Sequence, residues 1–213
     1  VREGGVTLTN RARNYGGVFL RHLMDKDPAF LELIRFEPVI SVVRAVLGPL
    51  IAIRGFSARI SYPGDERQET EWHYHHRVLT DPLPPWFMAP QQVDALMYLD
   101  DANEANGRLC VVPRSHRVFD RDLPPESYDE RPDQVALDVP AGSVVFTHGN
   151  LWHRATPTTP QGTVRRLLIY GFGPTWMKES RYGVKPPDGL TDKLLAETTN
   201  PGLRELLGHG GAF

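Results

Sequence analysis

The feature that most constrains this chain is a succession of short apolar segments, each closed by glycine or proline. Its 213 residues include 19 glycines and 19 prolines, spread as punctuation rather than gathered in one tract. Such spacing favours many short elements joined by turns. The clearest segment has period two: Ala52, Phe56, Ala58, Ile60 and Tyr62 alternate with Ile53, Gly55, Ser57, Arg59 and Ser61, and Pro63-Gly64 ends it. Further strands are expected over Val93–Leu99, Leu109–Val112, Gln134–Val139, Ser143–Thr147 and Arg165–Phe172. They do not alternate with helices, so a parallel α/β sheet is not expected. A mainly β sandwich or barrel is.

Helices are expected at the ends. Asp27-Pro28 has the form of an N-cap followed by proline at the first helical position, and Phe30, Leu33 and Ile34 then share one face. A second helix is expected over Pro38–Leu47, stopped by Gly48-Pro49, and a short one after Asn200-Pro201. The chain therefore reads as one domain, with a helical part at about 1–50, a β core at about 51–173 and an extension at about 174–213. Net charge is −2 and no Lys/Arg run stands out, which argues against nucleic acid or an anionic membrane as partner. Cys110 is the one cysteine, so no internal disulfide forms. No apolar run approaches the roughly 20 residues of a membrane span, and no signal-peptide pattern is visible. A cytoplasmic protein is expected.

The 8 histidines are unevenly placed. In Trp72-His73-Tyr74-His75-His76, extended backbone puts His73 and His75 on one side, with Glu71, and Trp72 and Tyr74 on the other. Two converging imidazoles suit a metal ion; the plainer reading is a histidine-rich surface edge. About eighty residues on, His148-Gly149-Asn150-Leu151-Trp152-His153 follows a strand, and Arg165-Arg166 opens the next. Facial iron sites use three protein ligands and leave the remaining positions open, a requirement that His73, His75 and His153 can meet. A guanidinium at Arg165 can grip a carboxylate with two bonds, while one of the two adjacent arginines is expected to form a surface ion pair. His22 and His209 read as ordinary packing or surface residues.

Four segments together resemble the phytanoyl-CoA dioxygenase family of iron(II)/2-oxoglutarate oxygenases. Trp72-His73-Tyr74-His75 stands at the family's W-H-x-D. Leu99-Asp100-Asp101-Ala102-Asn103-Glu104-Ala105-Asn106-Gly107, running on to Pro113-Arg114-Ser115-His116, is similar to its L-D-D…N-G…P-G-S-H. Ala141-Gly142-Ser143 leads to Trp152-His153, and Arg165-Arg166 follows. The resemblance implies a double-stranded β-helix (a jelly-roll, cupin-like barrel) with flanking helices. It implies Fe(II) and 2-oxoglutarate as co-substrate, O2 consumption, and oxidation of a small-molecule substrate with release of succinate and CO2. It also implies His73 and His153 as ligands and Arg165 as the clamp on the co-substrate, with His116 and His148 in supporting roles.

Three departures stand out. His75 occupies the place of the metal-binding aspartate, which removes about one negative charge from the iron. Glu71 is the alternative carboxylate ligand. Ala155 stands where the family often has a serine, and Arg165 is one residue further from the distal histidine than usual. A three-histidine dioxygenase independent of 2-oxoglutarate, or a non-catalytic small-molecule-binding barrel, therefore stays open. Arg59, Tyr62 and Trp86 are candidate substrate contacts.

Overall fold

The computed structural model describes residues 16–75, 89–117, 127–177 and 188–208. Among these, the strands are β1 (Val18–Leu20), β2 (Ile51–Ser61), β3 (Val93–Tyr98), β4 (Leu109–Val111), β5 (Val135–Leu137), β6 (Val144–His148), β7 (His153–Ala155) and β8 (Arg165–Pro174). The helices are α1 (Pro28–Leu33), α2 (Glu37–Leu47), α3 (Leu190–Glu197) and α4 (Pro201–Leu206). The strands form two antiparallel sheets, a larger one in the order β1-β2-β8-β3-β6 and a smaller one in the order β5-β4-β7. The described strands close no barrel.

The helices begin where their capping chemistry puts them. Asp27 caps α1 by accepting from the Ala29 N–H at 2.8 Å, with Pro28 in the first turn. Asn200 caps α4 by accepting from the Leu203 N–H at 3.1 Å. In α2, Val39, Ile40 and Val43 are buried and Gly48 ends the helix at φ 94°. These apolar faces pack on one side of the large sheet, against Phe56, Ala58, Val93, Ala95, Leu168, Tyr170 and Phe172.

The other side of that sheet faces the small sheet. By alternation, Asp94, Leu96 and Tyr98 of β3, Ser57 and Arg59 of β2, and Arg165, Leu167 and Ile169 of β8 all turn toward a cavity between the sheets. A bulge between Ile53 and Gly55 flips the alternation of β2. Ile53 therefore packs with the helices while Arg54 joins the cavity wall.

The first quarter is not wholly helical. β1 pairs as an edge strand with β2, Val18 opposite Ile60. Gly17 makes this approach possible: at φ 72°, a Cβ there would sit 2.5 Å from the Ile60 carbonyl oxygen. Its strand character comes from this pairing, as that of β7 comes from pairing with β4. No helix among the described residues is long and apolar enough to cross a membrane.

Candidate active site

His153 opens β7, and an isolated antiparallel bridge sets His73 opposite it, with each N–H donating to the other's carbonyl at 3.0 Å. The His75 N–H donates to the Gly149 carbonyl at 2.7 Å. The segment meets β7 through this one bridge, bends at Trp72 and His75, and is not the regular strand that the spacing predicts. Trp72 turns away into a small apolar cluster with Cys110 and Val112, and Tyr74 packs edge-on against Trp152 at 5.0 Å. Glu71, His73 and His75 face the cavity.

One ring nitrogen from each of His73, His75 and His153 lies within 4.8 Å of the other two. Nδ1 of each ring has a hydrogen-bond partner. Nδ1 of His73 meets the Glu71 carbonyl oxygen at 2.7 Å, Nδ1 of His153 meets the Leu151 carbonyl oxygen at 2.8 Å, and Nδ1 of His75 meets Oδ2 of Asp94 at 2.6 Å. These oxygens only accept, so each Nδ1 carries a proton. Burial pushes the pKa of His153 well down, with repulsion from His73 and His75 adding to it. It is therefore a neutral imidazole, the form that binds metal.

Glu71 supplies its backbone carbonyl to His73, and its carboxylate is not among the converging ligand atoms. The carboxylate that does reach the histidines is Asp94. It is buried on β3, accepts from His75 and also accepts from Nε2 of Gln92 at 2.9 Å. Burial alone would raise its pKa, but the attraction of His75 and the hydrogen bonds from His75 and Gln92 outweigh it and hold it low.

Arg165 sits in the same cavity wall, 3% exposed. Its Nη1 donates to the Gly107 carbonyl at 2.6 Å and its Nη2 to Ser61 Oγ at 3.3 Å. Both partners are neutral, so the cation has no carboxylate beside it among the described residues. The Asn106-Gly107 motif makes room for it. Gly107 has φ 89°, and a Cβ there would lie 2.5 Å from Nη1 of Arg165 and from the Thr156 carbonyl oxygen. Arg166 points outward and pairs with Asp100 at 2.7 and 2.8 Å, so it is the surface partner of the two.

The cavity has a volume of about 340 Å³, within the range of small-molecule sites. Arg59 lines it, its Nη2 donating to the Gln68 carbonyl at 2.6 Å. Tyr62 does not line it: β2 ends at Ser61, and the Tyr62 main chain closes onto the Gln68 side chain. Trp86 lies outside the described residues. Ala155 lines the cavity beside Thr70, whose hydroxyl accepts from the Ala155 N–H at 2.7 Å. His116 and His148 meet with ring centroids 4.8 Å apart and planes tilted by 32°, apart from the three-histidine group. Sequence reasoning misses Asp94, Gln92, Arg54 and Tyr98. The available signal for Asp94 is that it is the lone charge in an otherwise apolar strand, Val93–Tyr98.

Comparison with known proteins agrees with this geometry. The model of the phytanoyl-CoA dioxygenase (PhyH) family matches residues 7–167. The chain is 25% identical over 197 residues to dioxygenase af480 of Aspergillus fumigatus, covering 91% of this chain and 59% of that protein. It is 24% identical over 211 residues to ectoine dioxygenase of Bordetella parapertussis, covering 86% and 66%. The chain thus spans under two thirds of the length of these curated relatives. Its fold is similar to HygX from Streptomyces hygroscopicus with nickel and 2-oxoglutarate bound, at a TM-score of 0.64 and 20% identity over 78% of this chain and 72% of that one. It is also similar to SnoK, a non-haem alpha-ketoglutarate-dependent carbocyclase from nogalamycin biosynthesis, at a TM-score of 0.60 and 20% identity over 81% and 72%. With the family model matching most of the sequence and a paired set of histidines and a buried arginine in one cavity, the chain belongs to the phytanoyl-CoA dioxygenase family.

Proposed function

We propose that this chain is a non-haem iron(II)- and 2-oxoglutarate-dependent oxygenase that hydroxylates or otherwise oxidises a small organic molecule. In this reading the two sheets are the halves of a jelly-roll barrel. The observation that carries the proposal is that one cavity holds both three convergent imidazoles and Arg165, a buried cation whose described partners are neutral. The donor set fits iron(II), since neutral imidazoles suit first-row divalent metals of this class. His73, His75 and His153 would hold the ion through Nε2. Bound there, iron(II) with 2-oxoglutarate would supply O2 activation, with the co-substrate lost as succinate and CO2 while the substrate is oxidised.

The residues of the chain do the binding and orienting. Arg165 grips the distal carboxylate of 2-oxoglutarate, its position fixed by Gly107 and Ser61. Tyr98 stands in the same wall with its pKa pushed up to about 12 by burial, so its hydroxyl stays neutral. Arg59 is the wall residue placed to contact substrate, and Leu96, Leu109, Leu167 and Ile169 keep the interior apolar. A metal centre that works without 2-oxoglutarate would leave Arg165 buried with no anion to bind, so the co-substrate-dependent reading is favoured. Relatives named for ectoine and for nogalamycin biosynthesis support a small-molecule substrate.

The test is an anaerobic titration of the iron(II)-loaded protein with 2-oxoglutarate, followed by visible absorption. A weak charge-transfer band should grow to saturation. Iron bound with no band at any concentration would remove 2-oxoglutarate from the reading.

A further inference from the structure

We propose that Asp94 is a positioning residue of the metal centre, holding His75 through Nδ1 and supplying, one residue removed from the ion, the negative charge that position 75 lacks. The proposal rests on reading His73, His75 and His153 as metal ligands. Nδ1 of His73 and of His153 meets a backbone carbonyl, at 2.7 and 2.8 Å, whereas Nδ1 of His75 meets a carboxylate, at 2.6 Å. A ligand histidine whose far nitrogen donates to a carboxylate becomes more basic and is fixed in one orientation and tautomer.

The orientation of every group in this chain of bonds is determined. Arg54 only donates, so the atom of Gln92 that meets its Nη1 at 2.8 Å is the amide oxygen. The Gln92 amide nitrogen therefore faces Asp94, reaching Oδ1 at 2.9 Å and Oδ2 at 3.2 Å. Asp94 accepts from both Gln92 and His75, which requires a carboxylate and a protonated Nδ1 on His75. The Gln92 nitrogen also lies 3.4 Å from Nδ1 of His75, a longer and weaker alternative to the 2.6 Å bond. The bulge in β2 belongs to the same device, because it puts Arg54 on the side of the sheet from which Gln92 is reached. The surroundings are buried, so a carboxylate there would not persist without such partners.

Co(II) reports on this through both affinity and its visible ligand-field bands, without any turnover. Metal-free wild-type protein, Asp94→Asn and Gln92→Leu are titrated with Co(II). Asparagine keeps the size of the side chain and an acceptor oxygen but removes the charge. Its variant should bind Co(II) about 10- to 100-fold more weakly, with shifted bands. Gln92→Leu, at a half-buried position, should shift the bands in the same direction with a smaller loss, and decides the matter if Asp94→Asn does not fold. A merely structural Asp94 would lower the folding midpoint and leave the bands of bound Co(II) where they are. Wild-type binding with unchanged affinity and bands in the folded variants overturns the role of Asp94 alone. No Co(II) binding by wild type overturns the metal centre and this role together.

Discussion

Arg165→Lys should weaken 2-oxoglutarate binding by roughly ten- to a hundredfold and leave iron(II) affinity as it is. Arg165 is 3% exposed and reaches two neutral oxygens, Gly107 O at 2.6 Å and Ser61 Oγ at 3.3 Å. Those two bonds hold the plane of the guanidinium in the cavity wall. Lysine keeps the positive charge but presents a point donor in place of a planar fork. At least one charge-assisted hydrogen bond to the co-substrate is then lost, at about 1.5–3 kcal/mol, which is roughly one to two powers of ten in affinity. The Gly107 carbonyl also loses its donor, so a separate stability loss of about 1–3 kcal/mol is expected in urea unfolding. Affinity must therefore be measured far from the unfolding midpoint, from the charge-transfer band under anaerobic conditions. A dissociation constant within about twofold of wild type, in a folded variant with iron bound, would refute the assignment of Arg165 to the carboxylate.

Four other outcomes are expected. Gly107→Ala forces a Cβ to within 2.5 Å of the Arg165 guanidinium and of a backbone carbonyl at φ 89°, so it should cost about 1–3 kcal/mol in denaturant unfolding and weaken 2-oxoglutarate as well. His75→Asp, which restores the family's carboxylate, should destabilise the metal-free protein by setting a second acid against buried Asp94, and adding Asp94→Asn should recover at least about 1 kcal/mol; strictly additive unfolding free energies would contradict the contact. The hydrogen bond and charge of Arg166 hold the Asp100 carboxyl below its ordinary 3.8. A depressed folded pKa stabilises above the unfolded value and is lost as pH falls through the folded one, so Asp100→Asn should be less stable than wild type at pH 7 and converge with it in acid, as unfolding midpoints across pH will show. Cys110 is buried, and burial raises its pKa, so a thiol reagent should label it only at the rate of unfolding.

Local signals carry most of the fold. Asp27, Asn200 and Gly48 mark helix ends because capping is decided within a few residues, and the period-two run of β2 is visible because it is long. β1 and β7 escape because each is made by pairing with a strand distant in sequence, and the bulge at Arg54 escapes because only pairing with β8 creates it. The same division applies to the site. His73, His75 and His153 stand out by spacing; Arg165 as the inward arginine comes from the family resemblance, and the pairing of Arg166 with Asp100 shows only in the fold. That Tyr62 lies outside the cavity lining goes unread because the end of β2 is fixed by Gln68, six residues on. Asp94 goes unread because its meaning depends on His75, nineteen residues away and on another element.

The charges of the metal centre and its co-substrate connect these points. A two-histidine, one-carboxylate centre with a divalent ion, an arginine clamp and a dianionic co-substrate carries charges of +2, −1, +1 and −2, which sum to zero. Replacing the carboxylate by His75 alone would leave that set one unit positive, and buried uncompensated charge is costly. Asp94 returns the missing unit without touching the ion, through the Nδ1 of the very residue that displaced the carboxylate. Its attraction for the ion acts from further away and is correspondingly weaker. The centre should therefore hold iron(II) less tightly than a direct carboxylate would, yet bind the dianion at least as well, since Arg165 has no internal carboxylate to compete for it among the described residues. Comparing the Co(II) and 2-oxoglutarate affinities of wild type with those of the His75→Asp, Asp94→Asn double variant tests both halves: the double variant should gain metal affinity and should not gain affinity for the dianion.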